Sequence, residues 1–148
     1  MATTQPAAGT AVRLERTYAA PPEKVFDAFT KAEALSRWFA PADDVTVVVH
    51  TLEPRVGGRY RVEMKQTNGT NNIVAGVYET VTPPTRLVFT WAWETMPEHG
   101  TSRVTISIEK SGTGSKMVLV HEQLTTAESR ERHSTGWNGC LARLEKSL

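Results

Sequence analysis

From Val12 onward, apolar and polar side chains alternate. Val12, Leu14, Arg16 and Tyr18 fall on one side of the pattern and Arg13, Glu15 and Thr17 on the other, which predicts a half-buried strand. Ala20-Pro21-Pro22 interrupts it. Pro22 suits the first position of a helix, with Glu23 in the first turn and Val25, Phe26 and Phe29 as its apolar face. A second short helix follows, with Ala34, Leu35, Trp38 and Phe39 inward and Pro41 as its stop. Val45 to Leu52 is β-branched and strand-like, and Arg55-Val56-Gly57-Gly58 is a turn.

Tyr60, Val62 and Met64 then alternate with Arg59, Arg61, Glu63 and Lys65 in a two-faced strand, and Asn68-Gly69 signals a hairpin. Ile73 to Val81 reads as a strand of ambiguous period, since Gly76 and Tyr78 share one face and Val77 takes the other. Pro83-Pro84 turns the chain into its heaviest strand, where Leu87, Phe89, Trp91 and Trp93 alternate with Val88, Thr90 and Ala92. Val104, Ile106 and Ile108, then Met117, Leu119 and His121, give two more strands joined through Gly112-Thr113-Gly114.

The period changes after Thr125. His133, Trp137, Cys140, Leu141, Leu144 and Leu148 are spaced 4, 3, 1, 3 and 4 apart, one face of a helix. Glu131, Arg132, Asn138, Arg143 and Lys146 form the solvated face. Thr125 or Thr126 supplies the N-cap, and Glu128 and Lys146 sit at the ends that the helix dipole favours. Such a helix reaches about 30 Å.

Strand, two short helices, six strands in hairpin succession and one long terminal helix predict an α+β fold. About seven antiparallel strands form a curved sheet whose apolar face wraps the terminal helix. Residues 1–10 read as a small, polar, disordered tail and residues 11–148 as a single domain. The space between sheet and helix is the natural place for a ligand. Trp38, Met64, Trp91, His121, Trp137 and Leu141 come from separate segments and all fall on inward faces. They are therefore expected to line one cavity.

Composition narrows the field. The 17 basic and 16 acidic residues exert no global pull on nucleic acid or acidic membranes. No stretch approaches the ~20 apolar residues of a membrane helix, and the first ten residues lack a signal-peptide pattern. A single cysteine excludes an internal disulfide and suits the cytoplasm.

Candidate chemistry is sparse. His50, His99 and His121 recur in no metal-ligand spacing, so no metal and no cofactor is expected. Cys140 reads as a small buried hydrophobe. Glu53 and Arg55 read as clamps of their turn. His121 closes an inward row, placing it against Trp137 or His133 as a hydrogen-bonded core histidine, with general acid/base catalysis as the sharper alternative. A nucleophile motif, a phosphate loop and a nucleotide fingerprint are all missing.

Several motifs together resemble a known family. They are Pro22 with Val25-Phe26 and Ala28-Phe29; Trp38-Phe39; and Glu53, Arg55, Gly57-Gly58 and Tyr60, with Glu where Asp is usual. Gly76, Tyr78, Val81, Pro83-Pro84 and Leu87 to Trp91 follow, then His121-Glu122, then Gly136-Trp137, Leu141 and Leu144-Glu145. As a set covering residues 12 to 148, they resemble START-like (SRPBCC, polyketide-cyclase-type) domains. The nearest branch is the one named after the activator of the ninety-kilodalton heat-shock chaperone's ATPase. The resemblance implies the helix-grip fold, and the mostly apolar inward residues, with few polar groups converging on them, point to binding of a small hydrophobic or aromatic molecule. It leaves open a cyclase- or hydrolase-type enzyme using the same cavity, a chaperone-activating interaction module, and assembly as a homodimer.

Overall fold

The computed structural model describes residues 11–148, so the expected N-terminal tail lies outside the described residues. The elements follow as β1 (Val12–Tyr18), α1 (Pro22–Thr30), α2 (Ala32–Trp38), β2 (Thr46–Leu52), β3 (Arg59–Lys65), β4 (Asn71–Thr82), β5 (Arg86–Trp93), β6 (Thr101–Ser111), β7 (Gly114–Glu122) and α3 (Ala127–Ser147). The seven strands form one sheet in the order β1-β7-β6-β5-β4-β3-β2, antiparallel at every pairing. Hairpin succession dictates that order from β2 to β7. β1 closes the other edge by pairing with β7, with Val12 opposite His121 and Tyr18 opposite Ser115.

The inward rows are those the alternation predicts. Tyr60, Val62 and Met64, then Leu87, Phe89 and Trp91, then Val104, Ile106 and Ile108, then Met117, Leu119 and His121 are all buried. Each large apolar side chain so buried contributes about 1.5–3 kcal/mol. Trp137, Cys140, Leu141 and Leu144 of α3 fill the sheet's hollow, and α1 and α2 add Val25, Phe26, Phe29, Leu35 and Trp38 to the same core.

The ambiguous strand has a local explanation. Gly76 stands opposite Tyr60, and any side chain there would collide with the Thr90 carbonyl and the Tyr60 ring. Gly76 is thus an inward position left empty so that Tyr60 can lie across it and donate to the Thr90 carbonyl. A register shift between Tyr78 and Thr80 changes the phase beyond that point.

The Glu53 turn is also built as a clamp. Glu53 Oε1 accepts from Arg59 N at 3.1 Å, and Gly57 has φ +83°, a left-handed conformation that disfavours other residues. His50 is exposed but engaged: its Nε2 lies 2.8 Å from Glu63 Oε1. That hydrogen bond holds the Glu63 carboxyl below its usual range.

α3 begins as its cap predicts, with Thr126 Oγ1 accepting from Ser129 N at 3.0 Å. Gly139 lets the helix approach the Pro41 backbone so closely that a Cβ would meet the Pro41 carbonyl. Arg143 bonds Asp43 and the Arg37 carbonyl, pinning the α2–β2 connection to the helix. This connection forms one side of the cavity described next.

Candidate ligand cavity

β3 ends, β4 begins and β5 ends at the same edge of the sheet, because each is paired antiparallel with the next. Met64, Gln66, Asn72, Trp91 and Trp93 therefore converge there. Over them lies the first half of α3, which presents Ser129, Arg132, His133, Gly136, Trp137 and Cys140 at helical spacing. Between the two is a cavity of about 190 Å³, closed at its sides by Pro41, Val45, Met96 and His99. Apolar cavities of ~150 Å³ hold a benzene ring, so this one has room for a one- or two-ring molecule.

Aromatic rings make its inner wall. The Trp91 ring centroid is 5.1 Å from Trp137, 5.4 Å from Trp93 and 5.3 Å from His121. Phe39 packs edge-on against both Trp91 and Trp137, at 5.9 and 5.8 Å. These rings separate the cavity from the rest of the core, where a void of only about 20 Å³ remains beside Phe39.

Hydrogen bonds fix both inner histidines. Indole N–H is a donor only. Trp137 Nε1 donates to His121 Nδ1 at 3.0 Å, so His121 carries its proton on Nε2, 2.7 Å from Ser102 Oγ. Trp93 Nε1 donates to His133 Nε2 at 3.1 Å, and His133 Nδ1 donates to the Ser129 carbonyl at 2.7 Å. The two rings are thus neutral and of opposite tautomers, with centroids 4.7 Å apart. Burial, and then the neighbouring His133, push the His121 pKa well below its ordinary value. Burial lowers His133 too, aided by His99 and Arg132 and opposed by its Ser129 hydrogen bond.

Cys140, also on the wall, has its thiol pushed up to about 12 by burial and is protonated at neutral pH. The wall therefore presents a neutral thiol and the tautomerically locked His133 imidazole, with His121 locked behind it, a poor set for nucleophilic or proton-transfer work. Among the described residues, no group of three His, Cys, Asp or Glu side chains is placed to hold a metal ion.

Of the six residues expected to line one cavity, Met64, Trp91 and Trp137 do so. Trp38, His121 and Leu141 do not, and their placement corrects the expectation. Trp38 is 0 % exposed and ties α2 to α1, donating from Nε1 to the Ala28 carbonyl at 3.0 Å and packing edge-on against Phe29. His121 lies behind Trp91 and Trp137, with both ring nitrogens committed. Leu141 is one turn beyond Trp137 and fully buried in the core, and its backbone carbonyl accepts from Tyr18 of β1. An inward face sets burial, but the aromatic partition decides which buried residues border empty space.

Gln66, Asn72, Met96, His99, Arg132 and Gly136 also line the cavity, although the sequence reading assigned none of them to it and set Arg132 on the solvated face of the helix. Gly136 carried a signal, a glycine inside a helix where it costs about 0.5–1 kcal/mol relative to alanine. Met96 and His99 carried none, since a loop and a single 3₁₀ turn place them.

A curved antiparallel sheet gripping one long helix, with an aromatic-walled cavity beneath that helix, makes this a helix-grip protein of the α+β class. Residues 19–148 match the family described as "Activator of Hsp90 ATPase homolog 1-like protein", and the chain belongs to that family. Among solved structures it is similar to a protein from Chromobacterium violaceum, at 28% identity, TM-score 0.86, and coverage of 93% of this chain and 95% of that one. The AHSA1 protein from Silicibacter pomeroyi is similar at 29% identity and TM-score 0.81, covering 93% and 96%. A solution structure from Arthrobacter aurescens shares the fold at 17% identity and TM-score 0.85, covering 97% and 88%. No curated protein sequence matches the chain.

Proposed function

We propose that this protein binds a small apolar or aromatic molecule in the cavity between α3 and the ends of β3, β4 and β5. The observation that carries the reading is a cavity of one- to two-ring size walled chiefly by Met64, Trp91, Trp93, Trp137 and Cys140. The locked tautomers of His121 and His133 and the neutral Cys140 thiol favour binding over catalysis. The family description offers a second reading, activation of a chaperone through a surface contact. Among the described residues the large apolar side chains left exposed are Val56 and Val77, which give such a contact little to hold.

Gly136 provides the test. It lines the cavity, and nothing lies within 4 Å of where its Cβ would stand. Gly136→Leu should therefore place a side chain in the cavity without disturbing the helix. Tetralin, a two-ring hydrocarbon, should bind the wild type with a Kd below about 1 mM, read from the tryptophan indole resonances. In Gly136→Leu that affinity should drop at least tenfold, or ~1.4 kcal/mol, with no loss of thermal stability. Equal affinity in a folded Gly136→Leu protein would remove the cavity as the binding site.

A further inference from the structure

Gly136 and Gly139 stand inside α3, where a helix disfavours glycine relative to alanine. Gly139 has its reason in the protein, since a Cβ there would meet the Pro41 carbonyl. Gly136 has none: nothing lies within 4 Å of where its Cβ would stand. Helix geometry gives the direction of that empty position. At about 100° per residue, Arg132 falls about 40° to one side of Gly136, and Cys140 and His133 fall about 40° and about 60° to the other. All three line the cavity, and so does Gly136 itself. The missing side chain therefore points into the cavity, within the arc that α3 turns toward it.

We propose that the bound molecule lies directly against the α3 backbone at Gly136, and that the cavity thereby selects flat aromatic two-ring molecules over puckered, saturated ones. The proposal rests on the ligand-binding reading and adds to it the shape of the ligand and the residue that reads it. Glycine is the residue that lets a backbone approach a ligand closely. Elsewhere on this arc, side chains such as His133 and Cys140 stand between the helix backbone and the cavity, whereas at Gly136 the wall recedes by the depth of one side chain. Carbon atoms in contact stand about 3.5–4.0 Å apart, so that recess accepts the thickness of one aromatic ring, while a puckered ring has to push its walls apart. Trp91, Trp93 and Trp137 line the same cavity and offer a flat ring aromatic partners that a saturated ring cannot use. Helix stability is given up at Gly136 for a contact that the ligand completes.

The test compares 2-naphthol with decahydro-2-naphthol, which carry one hydroxyl on the same two-ring skeleton and differ in flatness. Binding is read from the tryptophan indole resonances. The wild type should bind 2-naphthol tighter by about fivefold or more, within the range of one aromatic pair. Gly136→Ala places one methyl group in the open space. It should weaken 2-naphthol by about tenfold or more, the scale on which one methyl-sized group is read in an apolar pocket, with no loss of thermal stability. In the wild-type complex, the Gly136 α-protons should also show nuclear Overhauser contacts to the naphthol ring protons. That readout decides the matter even if the variant does not fold.

Undiminished 2-naphthol affinity in a folded Gly136→Ala protein would overturn the proposal. So would Overhauser contacts from Trp91 and Trp93 without any from Gly136, and either result would leave the binding reading standing. Equal or tighter binding of the saturated alcohol would overturn the selection of flat molecules. If no cavity indole responds to either compound, the binding reading itself fails and this proposal falls with it.

Discussion

Cys140 illustrates how far environment sets chemistry at a single residue. Its position on the inner face of a helix was legible in the sequence, but its reactivity belongs to the surroundings. Burial raises its pKa to about 12, so very little thiolate is present at pH 8. Alkylation by iodoacetamide at that pH should run at least ~10²-fold slower in the native protein than in the urea-unfolded chain. Mass spectrometry of timed aliquots measures both rates, and comparable rates would contradict the burial of the thiol. The four tryptophans make the same point with polar groups. Identical indoles differ in role because Trp38 meets a carbonyl, Trp93 and Trp137 meet imidazoles, and Trp91 meets no acceptor.

At the level of the element, α3 combines two functions along one face. Its first half, from Ser129 to Cys140, roofs the cavity. Its second half, with Leu141 and Leu144 both 0 % exposed, anchors the helix in the sheet. Leu141→Ala should accordingly cost about 2–5 kcal/mol in urea unfolding, with the cavity's affinity for tetralin little changed once folded. A loss below about 0.5 kcal/mol would contradict the anchoring role. The two interior glycines of the helix should diverge in the same assay. Gly136→Ala should stabilise by about 0.5–1 kcal/mol, since its Cβ meets nothing. Gly139→Ala should destabilise, because its Cβ meets the Pro41 carbonyl and either the helix or the α2–β2 connection must move. Similar effects at both positions would mean that helix propensity outweighs the contact with Pro41.

For the molecule as a whole, the paired histidines predict an acid-side sensitivity. Both have folded-state pKa values below the unfolded value of about 6.5. Between the folded and unfolded values the unfolded chain binds more protons, so stability falls as pH drops below about 6.5 and is independent of these groups above it. For fully buried His121 the slope approaches ~1.4 kcal/mol per pH unit. Half-buried His133 contributes less, since solvent screens its charge. Protonating either ring would also set two N–H donors against each other, at the Trp137 or the Trp93 indole. Urea midpoints measured from pH 7.5 to 4.5 should decline below 6.5, and the decline should shrink in His121→Asn. A flat profile over that range would contradict the neutral, locked tautomers.

The sequence by itself determined the elements and their inward faces. Alternation in Tyr60-Val62-Met64 and Leu87-Phe89-Trp91, and helical spacing from His133 to Leu148, record local geometry directly, because side-chain direction follows the backbone period. Hairpin signals such as Asn68-Gly69 then ordered most of the sheet, with Asn68 Oδ1 accepting from Thr70 N at 2.8 Å in that turn. Three of the six expected lining residues were found by the same logic. What only the tertiary structure decided was where packing is incomplete. Trp38, His121 and Leu141 point inward like Trp91 and Trp137, but Phe39 and the indole–imidazole pairs fill the space around them and leave the cavity at one end of the sheet. Whether a donor such as Trp91 Nε1 is answered was equally hidden. The acceptors that satisfy its neighbours, His121 and His133, lie 16 and 40 residues from the indoles they serve, and no local pattern encodes that meeting.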